Sequence, residues 1–117
     1  MPNAHARANS ELHPAGYRDL APVAALDHLP NFRIVDVREP DEYVGPLGHI
    51  RDAELVPLAT VVAAAEGWDR TQPLLMVCRS GARSGRAASA LVQMGFTHVY
   101  NLMGGMLAWD ANQLPRV

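Results

Sequence analysis

The sequence predicts a three-layer α/β/α domain with a central, mostly parallel sheet of about five strands. Two observations carry this reading. Short apolar clusters bounded by Pro, Gly or polar residues alternate with helix-like segments along the chain, which is the order expected of strands joined by crossover helices. The clusters are also short apolar runs containing β-branched residues, the pattern of strands buried in a sheet covered on both faces. A third observation sets the scale. At 117 residues and 49% hydrophobic, the chain suits one domain and can bury roughly two-thirds of the surface its unfolded form exposes.

Taken in order, residues 1–12 are rich in Ala, Asn, His and Ser, have little to bury, and read as a loose arm preceding one domain over 13–117. Residues 17–20 are a candidate strand, followed by a helix-like segment over 22–28. The run RIVDV at 33–37 reads as a strand, 41–44 as a short helix, AELV at 53–56 as a strand and 60–66 as a helix. LLMV at 74–77 is the most uniformly apolar strand. It is followed by the clearest helix, 84–94, in which Ala87, Leu91 and Met94 share one face and Gly95 supplies a C-terminal stop. HVYNL at 98–102 is the next strand, and a last helix runs from 105 to 108 and into Trp109.

Composition excludes several function classes. Cys78 is the one cysteine, so disulfide scaffolds, Cys-based zinc modules and any chemistry needing a resolving cysteine in the same chain are ruled out. All ten basic residues are arginine, which removes Schiff-base catalysis and a P-loop lysine. A net charge of −2 and a pI near 6.2 lack the footprint of a nucleic-acid binder. No apolar run approaches the ~18 residues of a membrane span, and the N-terminus has no apolar signal region, so a reducing cytoplasm is the expected compartment. The histidines His5, His13, His28, His49 and His98 show no metal-ligand spacing. Neither a metal nor a cofactor is expected.

In open α/β sheets, ligands bind outside the carboxyl ends of the strands. Cys78 follows directly on LLMV, and Cys78-Arg79-Ser80-Gly81-Ala82-Arg83-Ser84 then leads into the clearest helix. A strand, a tight loop with glycine and a helix N-terminus make an anion-binding concavity, because successive N–H groups can converge on one point. A thiol there would have its pKa lowered from ~8.5 into a range of ~3.5–7.5 and would act as a nucleophile. The alternative reading is a free cysteine buried as a small hydrophobe at a strand end.

Three motifs, in order, resemble the single-domain rhodanese family of sulfurtransferases. The first is Ile34-Val35-Asp36-Val37-Arg38-Glu39-Pro40-Asp41-Glu42-Tyr43 with Gly48-His49-Ile50 after it, the second is the CRSGARS loop, and the third is Gly104-Gly105-Met106-Leu107-Ala108-Trp109. The chain departs from the family pattern at Arg51-Asp52-Ala53, where a Pro-Gly-Ala type turn is usual.

The resemblance implies a rhodanese-like fold and a double displacement. Cys78 attacks the outer sulfur of a small anionic donor such as thiosulfate, sulfite leaves, and a cysteine persulfide passes its sulfur to cyanide or a thiol. That acceptor lies outside the chain and could be a protein. Backbone N–H groups of Arg79, Ser80, Gly81, Ala82, Arg83 and Ser84 would hold the anionic sulfur. Arg79 matches the family's basic, donor-binding position, and a planar guanidinium suits a sulfonate edge. Arg83 either does the same or pairs with a carboxylate such as Asp36 or Glu39. Asp36 is expected to support loop backbone and Arg38 to pair locally. Four residues separate Cys78 from Arg83; five would resemble a phosphatase or arsenate reductase, whose wider ring cradles a tetrahedral oxyanion. A sulfur-delivery or interaction module with a protein partner is a further reading of the same loop.

Overall fold

The computed structural model describes residues 6–7 and 9–117. Its six strands, β1 (Ser10–Leu12), β2 (Arg18–Leu20), β3 (Arg33–Asp36), β4 (Glu54–Leu55), β5 (Leu74–Val77) and β6 (Val99–Leu102), form one sheet in the spatial order β1-β2-β6-β5-β3-β4. Every pairing is parallel except β1 with β2. The sheet therefore has one strand more than the sequence suggests. The extra strand, β1, comes from the end of the segment read as a loose arm; residues 1–5 and 8 of that arm, with His5, lie outside the described residues.

From residue 22 onward, five α-helices complete the layers: α1 (Pro22–His28), α2 (Pro40–Tyr43), α3 (Val61–Ala65), α4 (Ala82–Gln93) and α5 (Gly105–Ala111). All four residues of β5 are buried, as a central strand covered on both faces requires. Leu74 and Met76 point into one apolar layer, with Val61 and Ala65 of α3 and Ala87, Ala88 and Leu91 of α4. Leu75 and Val77 point into the other, with Ala25 of α1 and Met106 and Trp109 of α5. The period of two in the strand thus feeds two cores at once.

Local chemistry explains the helix starts. Pro22 and Pro40 occupy first-turn positions, where a missing N–H costs nothing. Glu39 and Glu42 make a reciprocal capping box at α2. α4 begins at Ala82, two residues before the expected start, because Gly81 caps it in a left-handed conformation with φ of 99°.

The chain leaves β3 toward β4 on one side and leaves β5 toward β6 on the other. The connections therefore diverge at the β3/β5 boundary, and a crevice opens at the carboxyl ends of these strands. Cys78 stands at the end of β5 and Asp36 at the end of β3.

Candidate active site

Cys78 is buried, and its sulfur is held by the loop that follows it. The left-handed turn at Gly81 folds that loop back, so the Gly81 N–H donates to Cys78 Sγ at 3.1 Å and the Ser84 hydroxyl lies 3.3 Å from it. Burial pushes the thiol pKa up. Hydrogen bonds from the Ser84 hydroxyl and from the N–H groups of Ser84, Gly81 and Ser80 outweigh that penalty and leave Cys78 below the ordinary thiol value.

The loop is also gripped from behind. The Met106 N–H donates to the Cys78 carbonyl at 2.9 Å and the Leu107 N–H to the Arg79 carbonyl at 3.0 Å. These are orphan donors of the first turn of α5. With its carbonyls turned toward α5, the loop can turn its N–H groups toward sulfur. Such close approach requires glycine at 105, since a Cβ there would lie 2.5 Å from both carbonyl oxygens.

Asp36 and Arg38 form a buried pair. Arg38 Nε and Nη2 donate to the Asp36 carboxylate at 2.9 and 2.7 Å, and Asp36 Oδ1 also accepts the Arg38 N–H at 3.1 Å. The remaining Arg38 donors reach the Glu42 carbonyl at 3.1 Å and the Gly48 carbonyl at 2.7 Å. The two side chains thereby tie the end of β3 to α2 and to the Gly48-His49-Ile50 turn. Among the described residues, neither side chain hydrogen-bonds to the cysteine loop itself. His49 stacks on Tyr43 in the same turn, 3.7 Å between ring centroids.

Of the two carboxylate partners considered for Arg83, the structure selects neither Asp36 nor Glu39. The guanidinium forms a bidentate pair with Glu42 at 2.7 and 2.8 Å. The first turn of α2 aims Glu42 across the crevice toward α4. The Arg83 side-chain bond holds the Glu42 carboxyl down at about 2, and the same bond raises the Arg83 value. Arg79 is exposed, and among the described residues its guanidinium has no partner. Together with Arg38, Glu42, Pro46 and Leu47 it lines a cleft of about 220 Å³. Ser80 and Ala82 are exposed on the rim of the loop.

Sequence reasoning passed over Asn101. It is buried on β6, and its amide nitrogen donates to Asp19 Oδ1 at 3.1 Å and to the Gly81 carbonyl at 3.2 Å, while its Oδ1 lies 2.5 Å from the Ser84 hydroxyl. The available signal was an amide inside an otherwise apolar strand, since such a group must find partners there.

Among the described residues, no cluster of three His, Cys, Asp or Glu side chains is placed to hold a metal ion, and no helix is long and apolar enough to cross a membrane.

The chain is similar to known proteins over most of its length. A family model described as the Rhodanese-like domain matches residues 20–112. The thiosulfate sulfurtransferase GlpE of Pseudoalteromonas translucida is 38% identical over 84 residues, covering 72% of this chain and 78% of that protein. The Bacillus subtilis protein YqhL is 39% identical over 77 residues, covering 66% of this chain and 60% of its own length. A rhodanese-related protein of Thermoplasma volcanium has the same fold, with a TM-score of 0.77 at 24% identity over 85% of this chain and 96% of that one.

Proposed function

The chain belongs to the rhodanese-like family, and from that premise we propose that it is a sulfurtransferase in which Cys78 carries the sulfur. The observation that supports this best is the Cys78 sulfur at the centre of a ring of donors, with its acidity raised despite burial. A thiolate so held is a nucleophile, and the same N–H groups can stabilise a persulfide anion in its place.

The reaction needs no general acid. The Cys78 thiolate attacks the outer sulfur of thiosulfate, a sulfur–sulfur bond forms, and the bond to the sulfonate sulfur breaks. Sulfite leaves as a dianion and the negative charge stays on the terminal persulfide sulfur. Cyanide or a thiolate then bonds to that sulfur, and the electron pair of the breaking bond returns to Cys78. With a single cysteine in the sequence, the acceptor is a separate molecule. Arg79 is the residue we assign to the donor sulfonate, because its guanidinium has no partner among the described residues and borders the cleft beside the loop.

Intact mass after incubation with thiosulfate tests both the nucleophile and the reaction. One added sulfur on the wild-type chain, none on Cys78→Ser, and thiocyanate formation with cyanide are expected. No adduct on the reduced wild-type protein, or turnover of an aryl phosphate that is lost in Cys78→Ser, would overturn the assignment.

A further inference from the structure

Ser84 has one hydroxyl proton and two acceptors competing for it. Cys78 Sγ lies 3.3 Å from its oxygen and Asn101 Oδ1 lies 2.5 Å away. The orientation of the Asn101 amide follows from its other neighbours. Asp19 Oδ1 and the Gly81 carbonyl oxygen are acceptors only, so the amide nitrogen must face them and Oδ1 must face Ser84. While sulfur carries a proton, every group is satisfied: Cys78 S–H can donate to Ser84 and Ser84 to Asn101. Once sulfur is a thiolate, Ser84 can serve it only by leaving the buried Asn101 oxygen without a donor, which is costly.

We propose that Asn101 is a positioning residue that competes with the Cys78 sulfur for the Ser84 proton, and so limits the share of that hydrogen bond the thiolate receives. The consequence is chemical. Nucleophilicity of a thiolate falls as its pKa falls, and a sulfur given the full Ser84 hydrogen bond would be more ionised but less reactive. After transfer, charge moves to the terminal sulfur of the persulfide, Sγ no longer calls for the proton, and the Ser84–Asn101 bond is intact. Asp19 takes part indirectly, by locking the amide orientation from β2.

The other groups around the thiol are Arg83, whose guanidinium feels the thiolate charge, the Asp36–Arg38 pair at the end of β3, and Tyr17, whose hydroxyl borders Gly85 beside the Asn101 amide. None of these side chains is altered in the variants below, and the amide bonds lost from Asp19 and the Gly81 carbonyl are common to the single and double Asn101 variants, so the difference between those two shifts reports the Ser84 proton.

The inference rests on Cys78 as the sulfur carrier, but its test reads thiol ionisation and requires no sulfur transfer. The rate of iodoacetamide alkylation is followed against pH. Asn101→Leu, which keeps the volume and removes the acceptor, is expected to lower the Cys78 midpoint by about one pH unit. In a Ser84→Ala background the same substitution is expected to leave the midpoint where Ser84→Ala alone puts it. An unchanged midpoint in the single variant, or an undiminished shift in the double variant, overturns the proposal. Should Asn101→Leu fail to fold, the wild-type protein provides the second measurement: the Asn101 side-chain ¹⁵N signal is expected to titrate with the Cys78 midpoint, and a signal that does not move overturns the proposal equally.

Discussion

Arg83 on the first turn of α4 and Glu42 on α2 grip each other through two parallel bonds of 2.7 and 2.8 Å, bridging the crevice between β5 and β3. Folding lowers the Glu42 pKa from 4.5 to about 2. A carboxyl held below its unfolded value contributes stability that is full above about pH 4.5 and is lost as the pH falls toward 2. Both side chains are partly exposed, so solvent screening limits the contribution to about 1 kcal/mol. Unfolding free energies of wild type and Glu42→Gln from urea titration are expected to differ by that amount at pH 7 and to converge near pH 2. A gap that persists at pH 2 would show that the ion pair is not its source.

Because Arg83 is committed to Glu42, the two loop arginines should differ in their effect on an anionic donor. A charge-assisted hydrogen bond contributes about 1.5–3 kcal/mol. Arg79→Ala is therefore expected to raise the KM for thiosulfate by roughly 10- to 100-fold. Arg83→Ala should change it by less than about threefold, its main effect being the loss of the surface pair. Steady-state kinetics of thiocyanate formation decide between the two, and a larger effect at Arg83 would reverse the assignment.

Asp52 adopts φ of 70° at the third position of the turn closed by the Ala53 N–H on the Ile50 carbonyl at 3.0 Å. This is the place where the chain departs from the family's usual glycine. Aspartate tolerates the left-handed region better than most residues, which is why the turn survives the change. Asp52→Gly is expected to unfold within about 0.5 kcal/mol of wild type, and Asp52→Val to lose about 1–2 kcal/mol. Equal stability of the valine variant would mean that the turn relaxes to another conformation.

The parallel strands and the helices were legible because each carries its own signal. LLMV is apolar throughout, and the helix of α4 repeats its small and apolar residues at Ala87, Ala88 and Leu91. β1 was not legible, since Ser10-Glu11-Leu12 is exposed or half-buried and owes its shape to pairing with β2 alone. The same division holds in the site. The loop from Cys78 to Ser84 is contiguous and could be read as one motif. Glu42, Asn101 and the α5 N–H groups reach it from distant parts of the chain, and only the topology brings them together. Asp36 and Arg38 lie between these cases: Asp36 is expected to support loop backbone and Arg38 to pair locally, and in the structure they bind each other and the Gly48 turn.

Gly105 offers the sharpest test of how the cysteine loop is held, because Gly95 provides a matched control. Both have positive φ, 59° and 97°, so alanine at either position pays for a left-handed backbone. That cost is about 1–2 kcal/mol. At Gly95 nothing among the described residues lies within 4 Å of an added Cβ, so the backbone cost is the whole effect. At Gly105 the added Cβ would lie 2.5 Å from the carbonyl oxygens of Cys78 and Arg79, which are backbone and cannot swing aside. Either α5 or the loop must retreat, and the two N–H bonds from Met106 and Leu107 weaken with it, at about 1 kcal/mol each. Gly105→Ala is thus expected to lose about 3 kcal/mol or more, against 1–2 for Gly95→Ala, by urea denaturation. The folded fraction carries the decisive readout. With the carbonyls released, the N–H groups lose their aim at sulfur, so the alkylation midpoint of Cys78 should rise toward the ordinary thiol value in Gly105→Ala and stay at the wild-type value in Gly95→Ala. Matching midpoints in all three proteins would show that the loop holds its shape without α5.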